Sequence, residues 1–151
     1  MTHPEISLRP AAVYAFLKVC PLLLLDLCIL ILAWLFLPVL IILSWAIMVV
    51  ALYNYFSIRS YRYLITGEYI RITKGIFFKR VDQVEMYRIK DYILIRSLLM
   101  QLFGLMNVTL SGTDKVNPVI ALKGIPVSGL IDEIRERVQE ARQHNNIYEL
   151  N

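Results

Sequence analysis

The 151-residue sequence predicts an α+β protein. A transmembrane helical hairpin comes first. An antiparallel β-sheet or partly open barrel follows, with one short inserted helix and a capping C-terminal helix. Three observations predict this. Between Lys18 and Arg59 lie forty residues with one formal charge, Asp26. From Ser60 to Leu122, short runs rich in Tyr, Ile, Val and Leu are split by Gly-containing turns, the pattern of β-hairpins. From Val127 to Val138, apolar residues recur at helical spacing.

The apolar run is too long for one span. Forty residues of helix would measure about 60 Å, against a hydrocarbon core of about 30 Å. Proline disfavours helix in the residue before it, so Leu37-Pro38 predicts a break and legs over 21–36 and 39–58. Pro21 suits the first turn of the first leg. The turn Phe36-Leu37-Pro38-Val39 carries no polar side chain. Its tip therefore lies in the far headgroup region, or the hairpin is re-entrant. Residues 1–10, with Pro4 and Pro10, are expected to be a loose tail, and 11–18 to lie along the interface. Asp26 is expected near an interface, snorkelling; the sharper alternative is a functional carboxylate lining a polar path. Ser44 and Asn54 are its only evident polar company, and Trp45 is expected to pack inside the hairpin.

Arg9 and Lys18 precede the hairpin and Arg59 and Arg62 follow it, while the turn has no basic residue. Basic residues stay on the cytoplasmic side, so both ends of the chain are expected there. The run is too long for the apolar part of a cleaved signal peptide, and no small-x-small site follows it.

After the hairpin, Ser60–Thr66, Tyr69–Thr73, Ile76–Gln83 and Val84–Ile95 read as strands, with turns at Gly67-Glu68 and Lys74-Gly75. Ile70 and Ile72 face one way and Arg71 the other. Arg96–Phe103 has helical spacing and stops at Gly104. Its Leu98, Leu99, Leu102 and Phe103 are expected in the core, with an exposed patch as the alternative. Val108–Ser111 and Val119–Leu122 are further strands joined by the loop 112–118. Pro126 is expected to open the last helix, with Glu133 and Arg137 as an i,i+4 pair and the like-charged Asp132 and Glu136 on its outer face. The stretch 144–151 is expected to be a flexible tail, giving segments 1–18, 19–58, 59–143 and 144–151.

The formal charge of +4 is uneven. Residues 59–96 carry nine Lys/Arg against four Asp/Glu, whereas 126–151 carry three against five. A basic stretch directly after a span predicts attraction to anionic lipid, through Arg59, Arg62, Arg71, Lys74, Lys79 and Arg80. Nucleic acid is not expected, because no nucleic-acid motif is present. Cys20 and Cys28 lie eight apart on one helix and cannot bridge each other. His3 and His144 fall in the expected tails, the serines lack a G-x-S-x-G setting, and there is no phosphate loop or metal-ligand spacing. Neither catalysis, nor a cofactor, nor a metal, nor a small-molecule substrate is expected.

Four stretches resemble the membrane-attached bacterial pleckstrin-homology-like family. They are Tyr63-Leu64-Ile65-Thr66-Gly67-Glu68, Ile72-Thr73-Lys74-Gly75-Ile76-Phe77, Tyr87-Arg88-Ile89-Lys90-Asp91, and Ser97 to Gly104 with Asn107-Val108-Thr109-Leu110. Their order and spacing carry the resemblance. Gln101 stands where that family is usually basic, and Met106 near a usual Gly. The resemblance implies a seven-stranded sheet capped by a helix on the cytoplasmic side, and no particular activity. The turn Thr66-Gly67-Glu68 is too short, and of the wrong sign, for the inositol-phosphate loop of eukaryotic relatives. The expected role is a binding or scaffolding subunit, engaging membrane lipids and a protein partner or a second copy. The alternative is a subunit of a transport or pore-forming assembly that uses the hairpin and Asp26.

Overall fold

The computed structural model describes residues 4–35, 37–113 and 118–144. His3, Phe36, the middle of the 112–118 loop and the tail beyond His144 lie outside the described residues. Two helices come first, α1 (Ala12–Leu35) and α2 (Leu40–Arg59). At 24 and 20 residues they are about 36 and 30 Å long, so both are long and apolar enough to cross a membrane. They pack on each other through Asp26, Ala33, Ser44 and Ala51, and turn most of their Leu, Ile and Val side chains outward.

The first helix does not begin at Pro21. It starts nine residues earlier and runs through the proline. Proline forfeits one backbone hydrogen bond, and the turns on either side keep theirs. The segment 12–18 is therefore no separate interfacial piece. Tyr14 packs with Met100 and Leu105 of the β domain, next to Ala11 and Ile58. The break at Leu37-Pro38 is as expected. The amides of Leu40, Ile41 and Ile42 donate to the carbonyls of Leu37, Pro38 and Val39 (3.0–3.2 Å), so the turn needs no polar side chain. Trp45, expected inside the hairpin, faces outward, because the small Ser44 and Ala51 occupy the contact face instead.

Among the described residues, seven strands form two antiparallel sheets that do not close into a barrel. The first holds β1 (Ile6–Leu8), β2 (Arg62–Ile65), β3 (Tyr69–Lys74) and β4 (Arg80–Glu85) in that order. The second holds β5 (Ile89–Ile95), β6 (Leu105–Gly112) and β7 (Val119–Pro126). Side chains alternate across a strand, so Tyr63, Ile65, Ile70, Ile72 and Val84 enter one core with Val108, Leu110, Ile120 and Leu122 of the other sheet. Helix α4 (Leu130–His144) closes that core with Leu130, Ile134 and Val138.

Four further expectations are corrected. The tail is not wholly loose: Ile6, Ser7 and Leu8 pair with Ile65, Leu64 and Tyr63. Ile6 and Leu8 pack against the core, and three residues between two prolines are too short a signal to read as a strand. Val84–Ile95 is not one strand. A 3-10 turn at Met86–Arg88 carries the chain from the first sheet to the second. β4 begins at Arg80, leaving 75–79 as a connector. Helix α4 begins at Leu130, since Pro126 still belongs to β7 and the Val127 amide donates to the Gly104 carbonyl (2.8 Å).

The Glu133–Arg137 pair forms (2.6 Å), and Arg137 is fully buried. It also donates to the carbonyls of Ile65 (3.2 Å) and Pro4 (2.8 Å), tying α4 to β2 and to the segment before β1. Its Nε has no partner among the described residues.

Candidate membrane-contact site

Strand direction decides what lies beside the hairpin. β1 ends at Leu8, four residues before α1 starts at Ala12, and β2 starts at Arg62, three residues after α2 ends at Arg59. The register Leu8–Tyr63, Arg62–Thr73 and Lys74–Arg80 puts one end of all four strands at the base of the hairpin. The second sheet shares this edge. The Ala11 amide donates to the Gly124 carbonyl in β7 (2.8 Å). The Tyr63 hydroxyl accepts from the Lys123 amide (3.0 Å). Gly124 has φ +64°, and a Cβ there would overlap the Tyr14 ring, so glycine lets α1 close on the sheet. The Asn107 side-chain oxygen accepts from the Gly124 amide (2.8 Å) and holds this bend.

The six predicted basic residues divide between three settings. Arg62 and Lys79 are exposed at this edge. Lys74 and Arg80 also stand there, directly opposite each other, where like charges repel. Asp82 reconciles them: its carboxylate meets Lys74 Nζ at 2.7 Å and Arg80 Nε at 2.8 Å. The Lys74 hydrogen bond, with help from Arg80, holds the Asp82 carboxyl below the usual range. Arg59 has a structural task, donating to the Pro10 carbonyl (2.7 Å) and so pinning α2 to the strand–helix junction. Arg71 sits mid-sheet, donates to Gln83 Oε1 (3.2 and 3.0 Å) and lies 4.9 Å over the Tyr69 ring.

Sequence reasoning missed the junction itself. A cleft of about 170 Å³ lies between hairpin and domain, lined by Lys18, Lys123, Tyr14, Tyr61 and Tyr63 among others. Burial pushes the Tyr63 hydroxyl up to about 12, against the opposing effect of its bond to the Lys123 backbone. Nothing in the linear order brings Lys18 and Lys123 together; only the β7–α1 contact does.

Asp26 is only 5% exposed, which replaces the snorkelling expectation. It faces α2, and Ser44 Oγ donates to its Oδ1 (2.6 Å). The pair borders a cavity of about 660 Å³ whose other walls include Phe16, Leu23, Leu27, Leu30 and Met48. Asn54, the other expected companion, is exposed elsewhere on α2. Among the described residues, no three His, Cys, Asp or Glu side chains are grouped to hold a metal.

Two helices fit to cross a membrane, carrying two open antiparallel sheets capped by one helix, make a protein of pleckstrin-homology-like build. A family model described as bacterial PH domain matches residues 12–142, from the first turn of α1 almost to the end of α4, and the chain belongs to that family. No curated protein and no solved structure matches it.

Proposed function

We propose that the chain is a non-enzymatic, two-span protein of the bacterial cytoplasmic membrane, with both of its ends cytoplasmic. Its PH-like domain acts as a binding or scaffolding subunit, and its hairpin-side edge touches anionic lipid. One observation carries this reading: strand register gathers Arg62, Lys74, Lys79 and Arg80 at the edge from which both long helices depart. Headgroup charge attracts basic residues by about 1 kcal/mol each near the surface, and salt screens the attraction. Glu68 and Glu85 lie at the opposite ends of the same strands, which favours the same orientation.

The test uses the full chain in lipid nanodiscs. Amides 75–79 should exchange with deuterium more slowly in discs containing phosphatidylglycerol than in phosphatidylcholine alone. High salt, or the combined Lys74→Gln, Lys79→Gln and Arg80→Gln variant, should abolish the difference. Exchange indifferent to lipid charge would remove the anionic-lipid reading. Crosslinking in native membranes addresses the scaffold: a partner in constant ratio supports a subunit, and a second copy alone a homo-oligomer.

A second reading, a subunit of a transport or pore-forming assembly, draws on the buried Asp26–Ser44 pair beside its cavity. Against it, the remaining walls named above are apolar. Asp26→Asn should leave assembly intact; loss of an ion flux with it would favour transport.

A further inference from the structure

Two apolar loops share the hairpin-side edge with the basic residues, and each leaves large apolar side chains outside the core. The β3–β4 connector presents Phe77 and Phe78, and the segment between β5 and β6 presents Leu98 and Leu102; these are 83, 91, 84 and 77% exposed. The short helix α3 (Leu98–Leu102), expected in the core, buries only Met100. Its Ser97 side chain caps it by accepting from the Met100 amide (3.4 Å), and Met100 docks it beside Tyr14 and Leu105.

Both loops are built to project. Gly75 has φ +110°, and a Cβ there would overlap the Phe78 carbonyl, so the connector folds back tightly and turns its phenyl rings outward. Both also lie at the level where the long helices leave the domain. The connector extends past the Lys74–Arg80 pair, beyond the start of β2. Helix α3 reaches Tyr14 of α1, with Ile58 of α2 alongside. Patches of this kind in water mark an interaction surface.

We infer that Phe77 and Phe78 on one side, and Leu98 and Leu102 on the other, enter the headgroup–acyl boundary of the same bilayer that holds the two long helices. They seat the PH-like domain on it at two points. The occupant is lipid rather than protein for two reasons. The loops flank the hairpin base. The cations beside them, Lys79 and Arg80 next to the phenyl rings and the exposed Arg96 next to Leu98, are placed to meet phosphates while the apolar tips go deeper. Side chains lying in that boundary reach about 5–10 Å below the headgroups. This inference rests on the two-span membrane reading above, but not on lipid charge.

The experiment is depth measurement on the full chain in nanodiscs. Cys20→Ser and Cys28→Ser clear the background, and single spin labels go on Phe78→Cys, Leu102→Cys and, as the water-side control, Glu68→Cys. All three side chains are exposed, so folding is not at stake. Labels at 78 and 102 should collide with dissolved oxygen several-fold more than with a water-soluble nickel chelate, and the label at 68 the reverse. The preference should persist in phosphatidylcholine alone. Nickel access at 78 and 102 equal to that at 68 overturns the inference. So does shielding from both reagents, which would mean a protein covers the loops. Deep labels together with charge-indifferent amide exchange would support the inference while removing the anionic-lipid reading. Wet labels with charge-dependent exchange would do the opposite.

Discussion

The two ends of the β domain are made from the same strands and differ in how much cationic and large apolar surface they expose. At the hairpin end, cations and large apolar side chains are exposed together: Arg62, Lys79, Phe77, Phe78, Leu98 and Leu102. At the far end the strands finish in the turn at Glu68 and the 3-10 turn, and two arginines there are tied to backbone carbonyls. Arg137 is buried against the Ile65 carbonyl, and Arg142 donates to the Ile89 carbonyl (2.7 Å). On the proposed reading the far end meets water and the hairpin end meets lipid.

The largest effect is expected at the far end. Arg137→Ala removes a buried guanidinium and leaves two backbone carbonyls without their donor, which should lower stability by about 3 kcal/mol. Denaturation in mild detergent checks this, and Arg137→Met, which keeps the stem, should lose less. An unchanged midpoint for Arg137→Ala would mean that this end is not held as described.

Tyr63, at the hairpin end, gives the next effect. Its hydroxyl is raised from the ordinary value near 10 to about 12, so the neutral form is the one the folded state favours. Its contribution is complete below pH 10 and is lost as the pH climbs from there to about 12. Tyr63→Phe should cost about 1 kcal/mol at neutral pH and should flatten the fall in stability over that alkaline window. A fall of the same size in wild type and variant would contradict this.

The smallest effect belongs to Asp82. Its carboxyl is lowered, so its contribution is present above the ordinary carboxylate range and is lost as the pH drops through the lowered value. Being an exposed bridge on the cation side, Asp82→Asn should change stability by less than about 1 kcal/mol. It should, however, free Lys74 and Arg80 and increase the salt sensitivity of amide exchange at 75–79.

Much of this contrast can be read in the sequence, and the unreadable part has a common cause. The hairpin, its break at Pro38 and the alternation of Ile70, Arg71 and Ile72 are local patterns. Each depends on neighbours within a turn or two. What local pattern cannot supply is which strand ends meet. Whether Arg71 and Arg80 share an edge depends on the β3–β4 register, and Arg71 proves to be mid-sheet. Leu98 and Leu102 look like core because helical apolar spacing does not tell a buried face from an exposed one. Arg137 reads only as half of an i,i+4 pair because its acceptors, Ile65 and Pro4, are distant in sequence. The strand Ile6–Leu8 is invisible for the same reason, since its partner β2 lies beyond both long helices.

The central claim is that the two ends of the β domain face opposite ways, one toward lipid and one toward cytoplasm. Cysteine mapping of the full chain in inside-out membrane vesicles tests it most directly, comparing Glu68→Cys with Phe78→Cys under a membrane-impermeant maleimide in the cysteine-free background. The expected result is fast labelling at 68, at least tenfold slower labelling at 78, and no labelling of either from the outside of intact spheroplasts. Equal rates at the two positions, or labelling from outside, would contradict the account.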